Sequence, residues 1–214
     1  MDYTKVRYEK LADGIIKGLK ARNMEGYYVD SSEEACRLAL SLIPEGKSVT
    51  WGGFTSGKEI GLIRAVKEGS YRVIDREEAK TPEQVAEALR EAFFCHTYLM
   101  SANALTQDGV ILNLDGQSNR VAALCFGPEQ VVMIVGVNKI VRDVEEGIAR
   151  VRNIAAPINA QRFANVEKKT PCMITGSCGD CKSPGCICCN FVITRFSRVP
   201  GRIKVIIVGE SLGF

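Results

Sequence analysis

Two apolar runs, one ending at Met100 and the other covering Val131 to Val135, can only be buried strands, and they constrain the chain more than any other feature. Ser48 to Trp51 and Tyr71 to Asp75 read the same way, and Gly26 to Val29 adds a shorter strand. Between them lie segments long enough for helices. Strands separated by helices of ten residues or more require right-handed crossovers, so the expected fold is α/β, a mostly parallel sheet with flanking helices. Sites in such folds lie outside the carboxyl ends of the strands, and Gly52 to Ser56, Ser101 to Asn103 and Gly136 to Lys139 all follow strand ends, so on that rule they could share one cleft.

The helices carry their own signals. Tyr8, Leu11, Ile15 and Leu19 recur at helical spacing within residues 3 to 22, with Asn23 as a C-cap. Asp30-Ser31-Ser32-Glu33-Glu34 opens a second helix with an acidic first turn suited to the macrodipole. Thr81 as cap, Pro82 at the first helical position and Gln84 three residues after the cap predict a helix from 82 to about 95. Residues 141 to 153 place Val144, Ile148 and Val151 on one face, with Arg142, Arg150 and Arg152 read as surface or dipole-complementing cations. Ala155-Ala156-Pro157 is expected to break that helix, and Asn159 to Asn165 to add a turn or two. Phe191 to Phe196 and Ile203 to Val208, joined across Pro200-Gly201, read as a closing hairpin.

At 214 residues and 46% hydrophobic, the chain builds one full core, so a single domain over 1–214 is expected, with a cysteine-rich loop at 171–190. No apolar run approaches the roughly 18 to 20 residues of a membrane span, and the N-terminus lacks a secretion signal's apolar core. A soluble, cytoplasmic protein with no membrane partner is the expectation. The net charge of +3 is spread as alternating signs, which argues against a nucleic-acid partner. His96 is the one histidine, so mechanisms that need paired histidines are excluded.

Polar residues gather between the two buried runs. Asn103, Asp108, Asn113, Asp115, Asn119, Arg120 and Lys139 fall among small residues and glycines, with Asp108-Gly109 and Asp115-Gly116 supplying left-handed turn positions. Turn chemistry explains the Asp-Gly pairs but not Asn103, Arg120 and Lys139 together. A second arrangement is the strand to Trp51, then Gly52-Gly53-Phe54-Thr55-Ser56-Gly57, then a helix from about Lys58 to Lys67. Glycines let a ligand approach the backbone, and helix-terminal N–H groups with the Thr55 and Ser56 hydroxyls favour an anion; a tight turn without ligand is the alternative.

Nine cysteines divide into two groups. Cys36, Cys95 and Cys125 stand singly in apolar surroundings, where free cysteine acts as a small hydrophobe. The other six, from Cys172 to Cys189, fall within eighteen residues. Cys178 and Cys181 form a C-x-x-C step, and Gly176, Gly179 and Gly185 let the chain wrap. Four thiolates without histidine fit zinc or an iron–sulfur cluster, and the spacing does not choose; reduced thiols or a Cys178/Cys181 redox pair are the alternatives.

The phrases SANALTQDGVILNLDGQSNRVAALCFGP, VGVNKIVRDVEEGIARVRNIAAPINAQR and KTPCMITGSCGDCKSP resemble the LUD-domain (lactate utilisation) family in its short stand-alone form, over about Trp51 to Asn190. The resemblance implies a fold similar to the ribose-5-phosphate isomerase and CoA-transferase group. It also implies organic-acid metabolism alongside iron–sulfur redox partners; a homo-oligomer is a separate expectation, which the sequence itself does not fix. Asn103, Asp108, Asn113, Asp115, Asn119, Arg120, Asn138 and Lys139 match the family pattern, as do Cys172, Cys178, Cys181 and Cys188 as metal ligands. Cys186 stands where such relatives commonly have Arg, and Cys189 is an addition.

Three functions compete at this point. In the first, a cleft binds a small anionic metabolite: Gly52, Gly53, Thr55 and Ser56 donate to it, Asn119, Arg120 and Asn138 assist, and Arg120 or Lys139 neutralises it. Asp115, Lys139 and Asn103 would do the chemistry, Asp115 as general base, while the cysteine loop holds a metal centre, iron–sulfur first and zinc second. The second is a cofactor-independent isomerase or CoA-transferase-like enzyme, for which Glu59 and Glu129 are the candidate nucleophiles. The third is a non-catalytic, zinc-stabilised interaction module.

Overall fold

The computed structural model describes residues 2–163 and 169–214. In chain order its elements are α1 (Tyr3–Ala21), β1 (Glu25–Val29), α2 (Ser32–Ser41), β2 (Ser48–Trp51), α3 (Thr55–Glu59), α4 (Leu62–Glu68), β3 (Arg72–Ile74), α5 (Pro82–Glu91), β4 (Thr97–Met100), β5 (Ala104–Thr106), β6 (Ile111–Asp115) and α6 (Asn119–Cys125). They continue with β7 (Gln130–Gly136), β8 (Ile140–Val141), α7 (Val144–Arg150), α8 (Ala156–Gln161), α9 (Pro171–Thr175), β9 (Asn190–Thr194) and β10 (Ile203–Val208).

Six strands form one wholly parallel sheet in the order β1-β10-β7-β4-β2-β3. Alternation along the central strands divides the core between its two faces. Val131, Met133 and Val135 of β7 pack with Ala12, Ile15 and Leu19 of α1 and with Leu124 of α6. Val132 and Ile134 face the other way, against Ala35 and Ala39 of α2 and Leu62 and Val66 of α4. Every residue of β7 is buried, as a strand covered by helices on both sides must be. A second, four-stranded sheet, β8-β5-β6-β9, holds a smaller core with α7.

Caps explain several boundaries. The expected Ser31 and Thr81 accept from the N–H groups of Glu34 and Gln84 at 3.3 Å each, and Asp143, which the sequence reading did not single out, from Glu146 N–H at 2.9 Å. The helix expected to 95 is α5, followed by a 3-10 turn at Ala92–Phe94. The helix expected at Lys58–Lys67 instead starts at Thr55 and is interrupted at Gly61, whose φ of 74° starts a new helix.

Three other expectations need correction. The last two strands do not pair: β10, apolar and buried, enters the middle of the parallel sheet between β1 and β7, while the half-exposed β9 pairs antiparallel with β6. Pro157 does not break its helix; a π turn at Val151–Ala155 widens the backbone just before it, which accommodates the missing N–H. Gly116 is not left-handed; Ser118 is, with φ of 65°. Of the turn expected over Asn159 to Asn165, the last two residues lie outside the described residues. Among those described, no helix is long and apolar enough to cross a membrane.

Candidate functional site

Because the sheet is parallel, four neighbouring strands present their carboxyl ends at one edge. β2 leads into Gly53, Thr55 and Ser56, β4 into Ser101, Ala102 and Asn103, β7 into Lys139, and β10 into Gly213; all line a cavity of about 430 Å³. β2 continues outward to β3, whereas β4 continues in the opposite direction to β7, so the cavity opens where the strand order reverses. Leu114, Asp115, Asn119 and Arg120, from β6 and α6, form the facing wall.

The Lys139 amine is buried, 3% exposed, and donates to Ser56 Oγ at 3.1 Å and Ser101 Oγ at 3.0 Å. Ser56 in turn donates to Ser101 Oγ at 3.5 Å, and Ser101 to Ala102 O at 3.2 Å. Burial, helped by the positive charges of Arg150 and Arg120 and opposed by Glu59, pushes the amine down to about 7. A lysine so placed exchanges its proton near neutral pH.

Arg120 is held by its carbonyl partners, donating from Nη2 to Leu114 O at 2.7 Å and Asn103 Oδ1 at 3.3 Å. Burial moves its pKa below the ordinary guanidinium value, with Asp115 opposing that shift. Gly52 lies directly behind: a Cβ there would stand 2.8 Å from the Tyr98 hydroxyl and 3.0 Å from Arg120 Cδ. Only glycine lets β2 run so close to this guanidinium.

Asp115 is anchored by backbone donors. Its Oδ2 accepts from Arg120 N–H at 2.9 Å and Val121 N–H at 3.3 Å, and its Oδ1 from Gly116 N–H at 3.1 Å. The carboxylate thereby satisfies the first turn of α6, a position that also complements the helix dipole. Its Oδ1 lies 3.8 Å from Arg120 Nε.

The expected residues Gly53, Thr55, Ser56, Asn103, Asp115, Asn119, Arg120 and Lys139 thus border one cavity. Two others stand behind it: Gly52 as described, and Asn138, whose Oδ1 accepts from Leu212 N–H at 3.0 Å and so fixes the segment before Gly213. Asp108 serves a turn and an ion pair with Arg22. Asn113 is fully buried, its amide without a hydrogen-bond partner among the described residues.

Sequence reasoning placed Ser101 to Asn103 at a strand end beside the cleft without giving Ser101 a role, and it missed Arg76 and Arg162 on the cavity wall. It also misread Arg150. That side chain is no surface cation; it is 9% exposed and donates to Asn103 O at 2.6 Å and Asn138 O at 3.0 Å, tying two of the site loops together.

The cysteine segment reaches the same wall. Ile187 lines the cavity, its backbone 3.2 Å from where a Gly116 Cβ would stand, and Cys189 N–H donates to Asp115 O at 2.9 Å. Burial first, and then Cys186, Cys172, Cys178 and Cys181 nearby, push the Cys188 thiol up to about 12. The donor chemistry suits a thiolate-bound metal, but the placement does not: among the described residues no group of three or more His, Cys, Asp or Glu could hold an ion.

Residues 12–208 match the LUD domain family. Among solved structures, a DUF162 family protein from Deinococcus radiodurans superimposes with a TM-score of 0.52 at 16% identity, over 94% of this chain and 97% of that one. Ribose 5-phosphate isomerase A from Neisseria gonorrhoeae overlaps with a TM-score of 0.37 at 14% identity, over 65% and 70% of the two chains. For eIF2B beta from Chaetomium thermophilum the values are 0.38, 17%, 55% and 45%. No curated protein matches this chain.

Proposed function

This chain belongs to the LUD-domain family, and from that premise and the cavity's geometry we propose that it binds a small anionic metabolite of organic-acid metabolism at the carboxyl edge of its parallel sheet. The observation that carries the reading is the charge of the wall. Arg76, Arg120 and Arg162 face a volume of about 430 Å³ against, among the described residues, one side-chain carboxylate, that of Asp115. A pocket of this size suits a small metabolite, and guanidinium groups pair with the planar oxygens of a carboxylate or phosphate.

The roles divide by burial. Arg120, fixed by Leu114 O and Asn103, is the preorganised anion partner. Arg76 and Arg162 are the outer cations, and the hydroxyls of Thr55 and Ser56 with the Asn119 amide complete the polar lining. Asp115 orients Arg120 through that residue's own backbone N–H, so the general base is better assigned to Lys139, with Asp115 as a positioning residue.

Calorimetric titration with lactate, glycolate, sugar phosphates and CoA tests the reading. A saturable ligand whose affinity falls with added salt, and falls about tenfold or more in an Arg76→Gln/Arg162→Gln variant, is expected. Absence of binding by every carboxylate and phosphate tried would overturn it. No metal enters this reading. Stoichiometric iron or zinc in protein purified without oxygen would require the thiols around Cys188 to close from the placement described above.

A further inference from the structure

A buried lysine without a carboxylate partner is costly to keep charged, yet Lys139 is 3% exposed and its hydrogen-bond partners are two hydroxyls. The direction of the network matters. The Ser101 hydroxyl donates to Ala102 O and the Ser56 hydroxyl to Ser101 Oγ, so both serine oxygens meet the lysine as acceptors. Two acceptors satisfy the two N–H bonds of a neutral amine and leave its lone pair free. An ammonium would present a third N–H to the cavity.

The charged groups that act on this amine lie on three elements. Arg120 on α6 and Arg150 on α7 disfavour its proton, and Glu59 on α3 favours it. Glu59 also accepts from Gly213 N–H at 2.6 Å, so its carboxylate is engaged by the neighbouring loop. The environment is that of an activated amine nucleophile: desolvated, beside cations, and lining a ligand-sized space.

We propose that Lys139 condenses with the carbonyl of a small aldehyde or ketone bearing a carboxylate or phosphate, forming an imine in the cavity while Arg120 holds the anionic group. This rests on the anion-binding reading and names the substrate class that the site would take. The nitrogen lone pair attacks the carbonyl carbon, a C–N bond forms, and the carbonyl π pair moves to oxygen, which takes a proton. Nitrogen gives up one proton as that oxygen takes one, which leaves a carbinolamine; its second proton then goes to the hydroxyl, which leaves as water, and a C=N bond remains. The net change is amine plus carbonyl to imine plus water, with no oxidant or reductant. Ser56 and Ser101, each within 3.1 Å of the nitrogen, relay the protons between it and the departing oxygen.

The test uses the full chain with pyruvate for the carboxylate arm and dihydroxyacetone phosphate for the phosphate arm. Each mixture is reduced with cyanoborohydride, digested and mapped by mass spectrometry, while calorimetry on the same protein records reversible binding. Expected is a secondary amine at Lys139, formed faster than at exposed Lys182, saturable in the probe, and absent in Lys139→Arg. Labelling should rise through about pH 7 and level off, whereas exposed lysines continue to rise toward their ordinary pKa. Ser101→Ala should slow it about tenfold or more. The wild-type pH profile stands even if a variant fails to fold. Probe bound but no adduct at Lys139 would overturn the imine and leave the anion site intact; adduct spread evenly over surface lysines would overturn it too. Neither binding nor adduct in both arms would overturn the anion-binding reading along with it.

Discussion

Replacing Lys139 by methionine should change the pH dependence of folding in a calculable way. Burial holds this amine at about 7, against an ordinary 10.5 in the unfolded chain. Between those values the unfolded chain carries a proton that the folded chain does not, so wild-type stability rises with pH, by about 1.4 kcal/mol per pH unit. Below about pH 7 both states are protonated, and the folded state bears the whole penalty, on the order of 5 kcal/mol. Methionine fills similar space and does not titrate. It forfeits two hydrogen bonds, to Ser56 and Ser101, worth about 1 kcal/mol each, but that loss is the same at every pH.

The informative quantity is therefore the difference in unfolding free energy, wild type minus Lys139→Met, measured by urea titration under reducing conditions from pH 7.5 to 10. Other lysines, tyrosines and thiols titrate equally in both proteins and cancel. The difference should climb by about 3 kcal/mol across that range. A flat difference would refute the argument, because it would mean that the amine keeps its proton in the folded state.

Other substitutions probe the surroundings. Gly52→Ala should cost about 1–3 kcal/mol and weaken anion binding, since its Cβ meets the Tyr98 hydroxyl and Arg120 Cδ; urea titration and calorimetry read the two effects. Asp115→Ala leaves the N–H groups of Gly116, Arg120 and Val121 without their acceptor, and a loss of about 1–2 kcal/mol is expected in the same unfolding assay. Gly213→Ala places a methyl group 2.9 Å from Ser56 Oγ and 3.1 Å from Lys139 Nζ at a φ of 57°, so ligand binding should fall sharply in calorimetry. Arg162→Gln should weaken binding and lower its salt dependence without moving the melting temperature, because that side chain is exposed and hydrogen-bonded only to Asn159 among the described residues.

Local features were readable in the sequence because local forces make them. Thr81, Pro82 and Gln84 mark the start of α5 through a cap bond that involves nothing outside that turn, and the apolar run of β7 could not have been left in water. The pairing of β10 was not readable. An apolar strand after a half-exposed one looks like the second arm of a hairpin, and only the gap waiting between β1 and β7 assigns it elsewhere. The site divides along the same line. Asn103, Arg120 and Lys139 stand out as polar residues in apolar company, whereas Ser101 is chemically silent in a sequence and gains meaning only from a lysine 38 positions later, 3.0 Å away. Arg150 looked like a helix-terminal cation because that is what most such residues are. Two loop carbonyls, of Asn103 and Asn138, decide otherwise.

The bond from Cys189 N–H to Asp115 O, with Ile187 beside Gly116, ties the thiol segment to the wall of the cavity. Oxidising Cys186 or Cys188, or capping either with a bulky thiol reagent, would act on Ile187, the lining residue next to both. Chemistry at sulfur would then be read out as a change in which molecules fit, so that oxidant exposure and ligand choice become one variable.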